Sequence, residues 1–295
     1  MNTVPTEPIL PSLPLPLPAT PGARQNWSPP PGCGEALGLA GLRTRHAGFW
    51  LVIVPSVARA ESLEAELRFF LGGQAGLAVF PDTEVLPYDT FSPHQDLTSR
   101  RLMVLRDVAA GRISTLVVAA STLLPRLAPA RYISGYSISL SAGQKLRPEQ
   151  LRLQLETAGY QRVAQVMEHG DFAVRGSLLD FYPMGSEQPV RIDFLDDEIE
   201  SLREFDPDSQ LSGAVIESLE TLPAREMPVD AEAIKQFRQA YRRRFEGNPA
   251  RSIIYREVSE GRMPGGIDDY LPLFFAETAL LGDYLPAGHL SISPG

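Results

Sequence analysis

The chain has 295 residues, a formal net charge of −9, 43% hydrophobic and 21% charged residues, which is a folded rather than a disordered composition with room for two or three domains. Its one cysteine, Cys33, excludes an internal disulfide and a multi-thiolate metal centre, and the four histidines (His46, His94, His169, His289) have no metal-ligand spacing. No apolar run reaches bilayer length and no secretory signal opens the chain, so a cytoplasmic address with no membrane partner is expected.

Residues 1–33 are rich in proline ("PILPSLPLPLPATPG", "SPPPG"). Proline fixes φ and removes a donor, so an extended or disordered arm is expected. From Gly34 to Arg131 the pattern alternates. "FWLVIVP" is a buried strand, "SVARAESLEAELRFFL" has helical spacing, and "GLAVF" is a second strand. "DLTSRRLMVLRDVAAG" is a helix with Asp96 or Thr98 as candidate cap, "ISTLVVAA" is a third strand, and "STLLPRLAP" is a short helix. Strands alternating with helices imply a parallel, doubly wound sheet. From Tyr132 to Leu222 short strands dominate: "YSISLSAGQKL", the helix "RPEQLRLQLETAGY", then "DFAVRG", "SLLDFYP", "PVRIDFLDD", "EIESLREFD" and "AVIESLETLP". Turn residues separate them as in antiparallel hairpins, giving a small α+β domain. After Pro223, "VDAEAIKQFRQAYRRRF" is a helix capped near Asp230, and a glycine-rich loop and an aromatic run follow. "GHLSISPG" ends without an evident closing element, as if the chain stopped inside a third domain.

Charge is unevenly distributed. Ser141–Leu222 holds 7 basic and 16 acidic residues, and the rest of the chain balances to zero. Such a segment repels phosphate backbones and suits a protein partner better than DNA. Catalytic candidates are weak. "PPPGCGEALGLAG" has glycines but lacks the lysine that a phosphate loop needs, since the only lysines are Lys145 and Lys235. A turn entering a helix is the simpler reading. Cys33 has no histidine neighbour in sequence and reads as inert. His94 and Asp96 could pair for acid–base work, but Asp96 as a cap, with Tyr88 and Phe91 packing the loop down, is favoured. "QAYRRRFEGNPAR" is a basic patch with interleaved aromatics that could touch nucleic acid, though such patches are more often solvated helix faces.

The most informative segment is Gln165–Asp206. Arg175 precedes Gly176 at a hairpin turn, Arg191 and Asp193 share the polar face of one strand, and Arg203 lies on the next. Arginines on an exposed strand face can make bidentate contacts to a partner's carboxylates, or weak cross-strand pairs within the sheet; spacing leaves both open.

"LPYDTFSPHQDLTSRRLMVLRDV", "GYQRVAQVMEHGDFAVRGSLLDFYPMGSEQPVRIDFLDDEIESLREFDPDSQ" and "LPAREMP" resemble the UvrB-homology region of bacterial transcription-repair coupling factors, over about Phe49–Phe275. The resemblance implies an α/β fold: a doubly wound, degenerate P-loop NTPase-like domain (34–131), a UvrA-binding-like α+β domain with antiparallel strands (132–222), and the start of a third, mainly helical piece (223–295). It implies UvrA as partner, docking at Arg175, Arg191 and Asp193 with apolar contact at Phe194 and Leu195. Leu195 stands where the family pattern has an aromatic. ATP and magnesium, RNA polymerase and double-stranded DNA would belong to the longer parent, and no cofactor is expected in this chain. The function implied is recruitment of UvrA to stalled polymerase by a non-catalytic module. The alternatives are a UvrB-type nucleotide-dependent enzyme, which the missing lysine disfavours, and a small-molecule enzyme at the carboxyl ends of the parallel strands.

Overall fold

A computed structural model describes residues 13, 15–18, 20–72 and 76–293. The proline-rich stretch before Leu13 lies outside the described residues. The chain divides into two compact units, one formed by 1–82, 107–124 and 285–295, the other by 83–106 and 125–284.

In the first unit, helix α1 (Gly34–Arg45) carries Glu35 in its first turn and Arg43 and Arg45 in its last, matching the helix dipole. The apolar run Phe49–Val54 is strand β1. Helix α2 (Val57–Phe70) follows, capped by the Ser56 side chain, which accepts from the Arg59 N–H at 3.2 Å. Strands β2 (Leu77–Val79) and β3 (Thr115–Ala119) complete the expected set, and β3 is buried at every position, as an inner strand of a parallel sheet must be. Helix α3 (Gln95–Ala109) lies between them in sequence. Leu39 of α1, Val52 and Val54 of β1, Leu63 and Leu67 of α2 and Val117 of β3 form one core. Trp27 packs against it, so the described end of the proline-rich arm, though irregular in backbone, is anchored. The segment expected to end without an element is strand β12 (Gly288–Ile292), which pairs in parallel with β1. The sheet order is β12-β1-β3-β2, all parallel. Gly288 permits this pairing, because a Cβ there would lie 2.2 Å from the Phe49 carbonyl oxygen. The stretch expected as a short helix after β3 is a 3-10 turn, Ala120–Leu123.

In the second unit the chain makes helix α4 (Ala130–Tyr136), which the sequence pattern missed, then strand β4 (Ile138–Ser141). Helix α5 (Pro148–Thr157) has proline in its first turn and buries Leu151 and Leu155. Strands β5 (Gln161–Arg162), β6 (Asp171–Arg175), β7 (Leu178–Phe181), β8 (Val190–Leu195), β9 (Glu198–Phe205) and β10 (Ser212–Ile216) form a sheet in that reversed order, antiparallel from β6 to β10. "AVIESLETLP", expected as one run, splits at Glu217: strand β11 (Ser218–Thr221) leaves to pair with β4. Helix α6 (Ala231–Arg244) is capped by Asp230, as expected, and α7 (Ile253–Ser259) follows. Met227, Phe237, Tyr241, Tyr255, Val258, Ile267 and Leu271 close a second core beneath them. The observed architecture is therefore a parallel sheet with helices plus antiparallel sheets.

Candidate partner-docking site

Two hairpins bring the expected docking residues to one end of the larger sheet. The β6–β7 turn is Gly176-Ser177, with Arg175 opposite Leu178 and Gly176 at φ 63. Positive φ at the first central residue is the twist that a two-residue hairpin loop favours, and glycine adopts it without strain. The β8–β9 turn is Asp196-Asp197, with Leu195 opposite Glu198. The Phe194 N–H donates to the Ser177 carbonyl at 3.1 Å, tying the two turns together. Cross-strand register then places Leu178 opposite Asp193 and Asp180 opposite Arg191.

The side chains divide into surface and support. Arg175 is exposed and donates to the Ala164 carbonyl at 2.9 Å. Leu195 is 63% exposed, and Asp193 is half-buried beside it. Arg191 is bound within the sheet: its Nε and Nη2 donate to the two Asp180 carboxylate oxygens at 2.7 and 3.0 Å, and its Nη1 donates to Ser212 Oγ at 3.1 Å. The guanidinium also lies 5.0 Å from the centre of the Phe205 ring. Asp180 is buried, and its hydrogen bonds raise the Arg191 pKa above the ordinary arginine value. Phe194, expected at the apolar contact, is buried at 5% exposure. Strand alternation is the reason: Val190, Ile192 and Phe194 all point to the core face. A register shift between Asp193 and Phe194 falls at this end of the strand pair. The structure also brings Arg203 opposite Arg191, exposed and in no ion pair among the described residues. Its position on the neighbouring strand was visible in the sequence; its pairing with Arg191 was not.

The catalytic candidates separate in space and chemistry. Glu35 stands after Gly34, where a phosphate loop has its lysine. Its carboxylate accepts from Arg59 at 2.7 Å and from the Ser293 hydroxyl. A carboxylate at that place opposes a polyphosphate. Cys33 is exposed. His94 and Asp96 are 3.5 Å apart and both exposed, and the stronger partner of Asp96 is His169 at 2.6 Å. His169 also bonds the Ser186 carbonyl at 2.8 Å and stacks on Tyr182, so Asp96 ties a loop down rather than capping a helix. Tyr88 and Phe91, expected to pack their loop down, are 76% and 70% exposed. The loop is held by its backbone instead. The Asp269 carboxylate accepts from the Tyr88 N–H, and a Cβ at Gly266 would lie 2.1 Å from the Asp89 carbonyl oxygen. Among the described residues no group of acidic, histidine or cysteine side chains could hold a metal ion, and no helix is long and apolar enough to cross a membrane.

The hairpin sheet, with β4, α5 and β11, coincides with a family match: the model of the UvrB interaction domain covers residues 138–227. The surrounding sequence is similar to the "Transcription-repair-coupling factor" of Escherichia coli, 43% identical over 258 residues, 87% of this chain and 22% of that protein. That of Haemophilus influenzae is 42% identical over 253 residues, 85% of this chain and 22% of the relative. That of Bacillus subtilis is 26% identical over 255 residues, 82% and 22%. The chain thus spans about a fifth of the length of these relatives. The likeness extends well beyond residues 138–227, so both units share it.

Proposed function

We propose that this chain is a docking module for UvrA in transcription-coupled nucleotide-excision repair, acting without catalysis of its own. The supporting observation is the hairpin end of the UvrB interaction domain, where exposed Arg175 and Leu195 stand beside half-buried Asp193. Arg175 supplies an orientable guanidinium to a UvrA carboxylate, and Leu195 the apolar contact next to it. Arg191, neutralised by Asp180, contributes a fixed fork with little net charge, and Phe194 supports the strand from beneath. Exposed Arg203 extends the cationic row. In the longer protein that the relatives represent, RNA polymerase and double-stranded DNA would be further partners, and any ATP-driven motor would lie outside this chain. We also propose that 132–222 is the part that carries docking, flanked by a nucleotide-binding-like piece (34–131) and a third piece (223–295).

The test is a titration of the chain against purified UvrA, with Arg175→Ala and Leu195→Asp as variants. Saturable binding by the wild-type chain that both variants weaken more than tenfold supports the proposal. Undiminished binding by the pair overturns the site, and no binding by the wild-type chain overturns the function. The UvrB-type nucleotide-dependent reading is tested separately by titrating ATP. No binding is expected, because Glu35 sits in place of the lysine.

A further inference from the structure

The segment from Lys235 to Arg256 holds seven cationic side chains and one carboxylate, Glu246, a local excess in a chain whose net charge is −9. Lys235 is paired with Glu232. The other six, Arg238, Arg242, Arg243, Arg244, Arg251 and Arg256, are all exposed, and none is in an ion pair among the described residues. The dipole at the end of α6 accounts for cations in its last turn, where Arg242, Arg243 and Arg244 lie. It does not account for Arg238 or Arg251.

Beside this ridge, within the same unit, lies a cleft of about 660 Å³ walled by Tyr88, Phe245, Tyr270, Arg126 and Arg244. Its rings are on offer: Tyr88 is 76% and Phe245 39% exposed. Tyr88 stands on Tyr270 edge-on at 6.4 Å, and Tyr270 lies 6.0 Å from Phe245, so the three make one aromatic track. Tyr88 holds φ 61, a left-handed conformation unfavourable for a bulky residue, with its N–H bound to Asp269. An exposed ring kept in a costly backbone conformation points to a function for the ring. Of the two carboxylates among the described residues that line the cleft, Asp269 is engaged by the loop and Glu277 is the other.

We propose that this arginine ridge and aromatic cleft bind single-stranded nucleic acid, with bases stacking on Tyr88 and Phe245 and phosphates meeting Arg126 and Arg244. Cations that track a backbone, interleaved with rings that accept any base, are what sequence-tolerant single-strand binding requires. An acidic peptide would engage the guanidinium groups and leave the ring faces unused. Duplex DNA would keep its bases stacked on one another and away from the cleft.

The experiment is fluorescence anisotropy of a dye-labelled oligothymidylate of about 12 nucleotides, within the usual single-strand site sizes, titrated with the full 295-residue chain over a salt series. Saturable binding is expected, with log K falling against log salt at a slope of about −2, as three neutralised phosphates give in a single strand. Arg243→Glu/Arg244→Glu/Arg251→Glu should weaken binding at least tenfold. Tyr88→Ala should weaken it about tenfold at unchanged slope, from the loss of one stacked base. Both variants should retain UvrA binding and the wild-type melting curve, which separates this site from the hairpin surface. Absence of saturable binding, or full affinity in the triple variant, overturns the proposal. Equal affinity for a duplex of the same length overturns the stacking cleft. Polyglutamate competing as well as the oligonucleotide overturns the assignment to nucleic acid.

Discussion

Tyr160 shows how much one buried hydroxyl carries. It donates to the Leu222 carbonyl at 2.9 Å, accepts from the Met184 N–H at 2.9 Å and touches the Thr221 hydroxyl. Burial pushes the phenol's pKa well above its ordinary value, so it stays protonated and donating. Tyr160→Phe would strand buried polar groups and is expected to lower stability by about 1–3 kcal/mol, read from the urea midpoint. The Arg101–Glu226 pair is a second case, at 2.5 Å with Arg101 3% exposed. Arg101→Ala leaves Glu226 without its partner and should cost about 3–5 kcal/mol, whereas removing both partners together should cost less than the sum. A double-mutant cycle by denaturant unfolding checks this. Neither contact was readable from sequence, because the partners are far apart in the chain and no local spacing links them.

The β6–β9 hairpins belong to the scale of elements. The alternation in "PVRIDF" was legible, and it put Arg191 and Asp193 on one face and Phe194 on the other. Which of these residues stays available was not legible. That depends on Asp180 lying across from Arg191, a matter of register between two strands. Arg191→Ala is therefore expected to do two things: weaken UvrA binding and, by leaving the buried Asp180 carboxylate unpaired, destabilise the sheet by about 3–5 kcal/mol. Arg175→Ala should weaken binding alone, by roughly 2–5 kcal/mol if UvrA buries the guanidinium. Thermal melts run beside the binding titrations separate the two effects. Leu195→Phe, which restores the aromatic of the family pattern, should hold or tighten UvrA binding, and a tenfold loss would overturn the reading of Leu195 as an apolar contact that an aromatic can replace.

At the scale of the whole molecule, the last strand returns to the first. β12 pairs with β1 over five residues, and His289 lies 4.4 Å from Trp50, ring centre to ring centre. Deleting 288–295 should lower the stability of the parallel-sheet unit by a few kcal/mol, at about 1 kcal/mol per lost ladder hydrogen bond. The loss would show as a lower melting temperature and a red-shifted Trp50 emission. Leu290 and Ile292 are 59% and 66% exposed, so the cost comes from backbone pairing more than from apolar burial.

The sequence by itself determined the elements whose cause is local. Apolar runs made the strands, Pro148 and Asp230 opened helices, and Gly176 set a hairpin. The segment Tyr160–Gln210 was specific enough to point to the UvrB-homology region of transcription-repair coupling factors. Tertiary structure alone decided that "GHLSI" is a strand, that Arg191 answers to Asp180, and that Tyr88 faces solvent. Each of these depends on a partner distant in the chain, and pairing across that distance leaves no period or spacing in the sequence to read.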